Sequence, residues 1–281
     1  MPESGLHCLM SQPSERAKRQ ASNMVITVPH GSAALPHYLD CFGATAFWKA
    51  VANTHFASDR GASALGRNIA AIMKTSDVLE GSLSRLVVDL NRPIEDASAM
   101  PSEAGAHGAN PLYPPQDRGD LAARRTYHQA FHSDVESILA RRAAAGDVVL
   151  IDQHSFDRYG EPGVYRGVDI GVCAPADARY ALALYDALLQ RCTARADEIA
   201  PHPEMRRLNI RLNEPYSADH PGAYIARRHA SPRVACAVIE VCDDLLIDKC
   251  SIQSIARLIA AATAEATIAV LSPPVENTND A

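Results

Sequence analysis

The sequence has no CxxC pair, no concentrated basic block, no apolar run of bilayer length and no internal repeat. Each absence removes a class of protein. The seven cysteines (Cys8, Cys41, Cys173, Cys192, Cys236, Cys242 and Cys250) are odd in number and lack paired spacing. That argues against a disulfide framework or a cysteine-rich zinc site and fits reduced thiols in a cytoplasmic compartment. A net charge of -6, with both signs mixed along the chain, argues against a nucleic-acid partner. The stretch from Met1 to Asn23 carries Glu15, Arg16, Lys18 and Arg19 but no apolar segment. It therefore reads as a loosely packed arm, neither signal peptide nor membrane anchor. Residues 272–281, with Pro273, Pro274 and Asn277 to Asp280, read as a frayed tail.

What remains is an ordinary globular composition: 281 residues, 47% hydrophobic and 21% charged. Short apolar, β-branched runs recur. They are Met24 to Pro29, Ser84 to Leu90, Asp147 to Asp152 and Val234 to Val241, with weaker ones at Val168 to Cys173 and Leu208 to Leu212. Helical periodicity separates them over Asp120 to Ala145, Arg179 to Arg195 and Ser251 to Ala266. Alternating strands and helices predict a single α/β domain over 24–271, with a parallel or mixed sheet covered on both faces. The Pro-, Gly-, Ser- and Ala-rich stretch from Ile94 to Gly119 predicts a long functional or mobile loop.

The reactive side chains gather at strand ends, where open α/β sheets bind their ligands. His30 follows the first run directly; it is either a rigidly held metal ligand or a turn histidine bonded to backbone. Asp152 and His154 stand two apart, so on a strand both face one site, the carboxylate orienting the imidazole. Asp152 as a loop cap is the competing reading. Glu240 sits inside an apolar run. Buried there it needs a cation or a hydrogen-bond network, and a raised pKa suits a general base; on an edge strand it would simply face solvent. Asn91 and Arg92 offer a two-pronged grip on a carboxylate, and Arg85 can stabilise an oxyanion, although an Asp89–Arg92 ion pair would explain part of this. No carboxylate follows His30 at H-x-x-E spacing, so the third ligand is assigned to Asp59, with Asp40 as the fallback. Asp59 could equally be the N-cap of a helix running to Met73.

Taken together, several segments resemble the N-formylglutamate amidohydrolases. They are Val28-Pro29-His30-Gly31-Ser32, Ser58-Asp59-Arg60-Gly61, Ser84 to Pro93 (SRLVVDLNRP) and Asp152-Gln153-His154-Ser155-Phe156. Asn213-Glu214-Pro215-Tyr216-Ser217, Gly222-Ala223-Tyr224 with Arg228-His229, and Ile239-Glu240-Val241 complete the collinear set, from about Val25 to Leu246. The resemblance implies a zinc carboxypeptidase-like α/β fold, related to aspartoacylase and succinylglutamate desuccinylase, and one Zn2+ per chain. It implies His30 and His154 as metal ligands and Glu240 as general acid/base. Asn91 and Arg92 would hold a substrate carboxylate and Arg85 would lie near the scissile carbonyl. Asn213, Tyr216 and Arg228 are expected at the pocket rim. Two departures stand out: His30-Gly31-Ser32 replaces the His-Ser-Gly of many members, and Cys242 stands where many carry arginine.

The expected activity is therefore metal-dependent hydrolysis of an N-formyl or short N-acyl amino acid, a small carboxylate-bearing substrate. Two rivals are a zinc peptidase acting on a small peptide or cell-wall fragment, and a non-catalytic binding protein that kept the fold.

Overall fold

The computed structural model describes residues 23–43, 45–160, 163–174, 179–198 (side chains to 192), 208–217, 220 and 223–271. Apart from Asn23, the expected arm and the expected tail lie outside the described residues, as does Gly222.

The centre is a six-stranded sheet built from β1 (Met24–Val28), β2 (Val78–Glu80), β3 (Val148–Phe156), β6 (Ile170–Cys173), β7 (Ile210–Leu212) and β8 (Val234–Cys242). Its order is β2-β1-β3-β8-β6-β7. The β2, β1, β3 and β8 strands run parallel, and β6 pairs antiparallel with β8. The short strands β4 (Tyr159–Gly160) and β5 (Val164–Tyr165) form a separate hairpin. Strands buried on both faces need side chains that tolerate burial everywhere, which is why β1, β3 and β8 read as near-continuous apolar runs.

Helices α1 (Asp40–Gly43) and α2 (Ala46–Val51) lead to α3 (Ala62–Met73); α4 (Arg118–Ala145), α5 (Arg179–Glu198), α6 (Tyr224–His229) and α7 (Lys249–Leu271) follow. Strand periodicity divides the core between the two faces. Ile26, Val28, Val149, Ile151, Ala237 and Ile239 pack against α3, α5 and α7. The alternate residues Val25, Val148, Leu150, Cys236 and Val238 pack against α4 and α6. The second row continues beyond its apolar part as Thr27, Asp152, His154 and Glu240, all buried. Four polar side chains thus share one face at the carboxyl ends of three parallel strands. Among the described residues α7 alone is long and apolar enough to cross a membrane, contrary to the expectation that no segment reaches that length. Its buried residues Ile255, Ile259 and Ala266 pack in the core.

One expected strand is absent. Residues Ser84 to Leu90 form a buried, turn-rich segment. Its backbone bonds run within the turn (Val87 N–H to Ser84 O, 3.0 Å) and to loops (Arg85 N–H to Ala57 O, 3.3 Å; Asp89 N–H to Ala99 O, 2.7 Å). The sheet position beside β1 belongs instead to β2, which the sequence did not signal. Arg124 of α4 fixes the segment from below, donating to the Val87 carbonyl at 2.9 Å while pairing in two-pronged fashion with Asp120. The long stretch after Ile94 is ordered by short turns at Ala97–Ala99 and Gly105–His107 and by buried Asn110, which donates to Leu86 O and Pro101 O.

Candidate active site

His30 leaves the end of β1 at a tight turn, where Gly31 N–H donates to Val28 O at 3.1 Å. A Cβ on Gly81 would collide with the Pro29 carbonyl, so glycine there lets the loop after β2 seat against this turn. His154 and Glu240 are register partners on adjacent parallel strands, which sets them side by side without a long loop. Glu240 therefore sits on an interior strand between β3 and β6, and the edge-strand reading does not hold. Asp59 is not the N-cap of α3; Gly61 takes that position at φ 78, and the Asp59 carboxylate turns toward the histidines.

Asp59 joins the two imidazoles. Its Oδ2 lies 2.8 Å from His154 Nδ1 and 3.4 Å from His30 Nδ1, and its Oδ1 accepts from Arg85 Nη2. The two rings stand 5.1 Å apart. Each far ring nitrogen has a carboxylate behind it. His30 Nε2 is 2.7 Å from Asp89 Oδ1, which places its proton there and leaves the Nδ1 lone pair pointing inward. His154 Nε2 is 3.2 Å from Asp152 Oδ2 and 3.1 Å from Asn91 Nδ2. The Asp152 contact is ionic in distance but not aligned as a hydrogen bond, since that oxygen has no hydrogen-bond partner. Asp152 is itself anchored by the Thr27 hydroxyl at 2.8 Å.

These surroundings set the protonation states. Burial alone would raise the Asp59 carboxyl, but Arg85 and His30 outweigh it and hold the group well below the ordinary carboxylate range. Asp89 is held down in the same way, burial being overcome chiefly by His30. Burial disfavours the charged form of His154, yet Asp152, Asp59 and Glu240 raise it well above the usual histidine value. Glu240 is pushed up to about 8, mainly by burial, with His154 opposing and Asp59 adding to the rise. Its Oε2 is buried and has no hydrogen-bond partner.

The arrangement fits a divalent cation. One ligand atom each from His30, Asp59 and His154 lie within 4.8 Å of one another, all three residues buried. Buried His30 Nδ1 makes no hydrogen bond, although Asp59 Oδ2 is near. Two imidazoles and a carboxylate, with Asp89 accepting behind His30 and the Asp152 carboxylate 3.2 Å behind His154, form a donor set that zinc and similar ions take.

A cavity of about 210 Å³ opens over this group, lined among others by Arg85, Asn91, Arg92, Tyr216, Glu240 and His220. His30, Asp59 and His154 also line it, so the three sequence-assigned ligands, Glu240, Arg85, Asn91, Arg92 and Tyr216 converge on one space. Three other residues do not reach it. Asn213, at φ 55, accepts from Ala174 N–H at 3.0 Å and caps the end of β6. Arg228 pairs with Glu136 at 2.7 Å and donates to the Tyr224 hydroxyl at 2.6 Å, outside the cavity wall. Asp40 is exposed and bonds His37 at 2.6 Å. Sequence reasoning passed over His55 and His220 in the wall, because an isolated loop histidine carries no periodic signal. The Asp89–Arg92 ion pair raised as a competing explanation is present at 4.0 Å, but Asp89 has a nearer partner in His30 at 2.7 Å.

No curated protein matches the chain. Among solved structures, the gene product Atu2144 from Agrobacterium tumefaciens is similar at 28% identity with a TM-score of 0.75. The match covers 90% of this chain and 94% of that one. The family model for N-formylglutamate amidohydrolase matches residues 22–247, from the start of β1 to the turn that follows β8 and so across every residue of the cluster just described. That match spans well over half of the chain, and the chain belongs to the N-formylglutamate amidohydrolase family.

Proposed function

We propose that this chain is a metal-dependent amidohydrolase that removes a formyl or short acyl group from the nitrogen of a small carboxylate-bearing amino acid, with N-formylglutamate as the type of substrate. One observation carries the reading most directly. Glu240, 6% exposed and with an oxygen lacking any partner, faces the same small cavity as the His30–Asp59–His154 group. A buried carboxylate without a partner is costly to stability, so its retention beside a cation site argues for chemistry.

His30, Asp59 and His154 would hold the ion. Such an ion supplies a Lewis acid that lowers the pKa of a bound water and polarises an amide carbonyl. With its carboxyl drawn toward neutral pH, Glu240 is matched to take a proton from the attacking water and return it to the departing amine. Arg85 spends one Nη on Asp59, but its buried Nε has no hydrogen-bond partner and remains as a donor toward developing negative charge. Arg92 donates Nη1 to the Asn91 carbonyl at 2.9 Å, and its planar fork suits a substrate carboxylate. The cavity is large enough for an amino-acid-sized substrate.

The test is elemental analysis joined to a hydrolysis panel of N-formyl and N-acetyl amino acids alongside dipeptides. About one divalent ion per chain, with formyl or acetyl release faster than dipeptide cleavage, is the expected result. Dipeptide cleavage dominating would favour a peptidase, and no turnover after zinc addition would favour a binding protein.

A further inference from the structure

Two histidines that this chemistry does not use lie against the turn carrying Asn91 and Arg92. His128 and His132 are four residues apart on α4, so both rings leave the same helix face. Each is 2% exposed, and their centroids are 4.5 Å apart. The His132 Nε2–H donates to the Leu90 carbonyl at 2.9 Å, and the His128 Nε2–H donates to the Arg92 carbonyl at 2.8 Å. Those carbonyls bracket Asn91. His229 of α6 stacks on His132 at 5.9 Å and Tyr224 meets it edge-on at 5.4 Å, which blocks rotation of that ring. Other elements complete the grip: Asn91 N–H donates to Asp89 Oδ1 at 2.8 Å, and Ile225 N–H donates to Asn91 Oδ1 at 3.0 Å.

We propose that His128 and His132 are positioning residues whose imidazole N–H groups clamp the Leu90 and Arg92 carbonyls and thereby aim the Arg92 guanidinium at the substrate carboxylate. The proposal rests on the hydrolase reading for the identity of that carboxylate. Its physical basis is separate. Arg92 carries the second of the two fixed carbonyls, in a turn that lies outside the sheet, so a backbone held by two buried side-chain donors decides where its fork points. Neutral imidazole suits the task, since one nitrogen donates and the ring adds no charge that would compete with Arg92 for the ligand.

The experiment compares binding of N-formyl-L-glutamate and its neutral diamide to the full chain by calorimetry. Wild type is expected to favour the acid. His128→Ala should reduce that preference about tenfold, the loss of one well-aimed charged hydrogen bond, with metal content unchanged. His128→Gln, which keeps an N–H donor, should recover most of it. If the alanine variant does not fold, His128→Phe keeps the ring without the donor and should show the same loss. An unchanged preference in either donor-free variant overturns the proposal, and so does an equal weakening toward both ligands, which marks mere loosening. A wild type that prefers the acid yet hydrolyses no N-acyl amide sinks the hydrolase reading and leaves the clamp to be judged on the variants. A wild type that binds neither ligand sinks both.

Discussion

Replacing Glu240 with glutamine should make the protein more stable and nearly inactive, and both halves follow from where the side chain sits. Glu240→Gln is close to isosteric, so packing between β3 and β6 survives. Burial raises its carboxyl from 4.5 to about 8. The sign follows from proton counting: at any pH between those values the unfolded chain has lost the proton that the folded chain still holds, so stability falls as pH rises through that interval. The cost is absent below pH 4.5 and, accumulated up to pH 7, amounts to about 3 kcal/mol at roughly 1.36 kcal/mol per pH unit. Glutamine has no such cost. Urea denaturation of the metal-free proteins, prepared with a chelator, should therefore show Glu240→Gln ahead of wild type by about that amount at pH 7 and level with it near pH 4. Deformylation by the metal-loaded variant should drop by about 10² to 10⁴, the usual contribution of a general acid–base group. Equal stability at both pH values would refute the buried-carboxylate argument, and near-normal turnover would refute the base assignment.

Three further expectations concern the surrounding residues. His154→Ala removes a central donor, so elemental analysis should find the divalent ion reduced to background; undiminished metal would take His154 out of the ligand set. Asp89→Asn keeps the size of the group behind His30 Nε2 but weakens its hold, so a metal titration should show affinity lower by roughly 10- to 100-fold. Burial holds the His132 imidazole down to about 3 and His229 to about 4, both from 6.5. The unfolded chain takes up those protons first, so stability should decline as pH falls below about 6.5, and His132→Gln should flatten that decline in an acid denaturation series. An unaltered acid limb would remove His132 from the account.

How much of this was legible in the sequence depended on whether a residue's partner was local. The strands β1, β3 and β8 were legible because doubly buried parallel strands are apolar at nearly every position, and Glu240 stood out against that background. The ends of α4 and α3 were readable from Gly146 and from periodicity up to Met73. Ser84 to Leu90 misled for the same reason that β3 did not. Its apolar residues are buried as a strand's would be, Leu86, Val87 and Val88 packing with Leu39, Trp48 and Leu112, yet its hydrogen bonds go to turns, loops and Arg124. Hydrophobicity reports burial, not which backbone groups pair. Arg228 misled differently. Its partner Glu136 lies 92 residues away on α4, and nothing short of the fold reveals that pairing.

The polar row Thr27, Asp152, His154 and Glu240 is where the requirements of folding and of chemistry separate. On the same face and the same strands, Val25, Leu150 and Val238 meet the core in the ordinary way. Two residues further along β3 and β8 the chain buries Asp152 and Glu240, with Asp59 and Asp89 close by, against the guanidinium groups of Arg85 and Arg92. Were all four carboxylates ionised and both imidazoles neutral, two negative charges would stay uncompensated at a depth where each costs several kcal/mol. Protonation relieves this: Glu240 keeps its proton to about 8, and His154 is drawn toward its charged form. A dication between His30, Asp59 and His154 would do the same without those protons, so binding it should release them and free Glu240 to accept one from water. The charge imbalance that costs this cluster stability is thus the same property that would favour a dication and a base there.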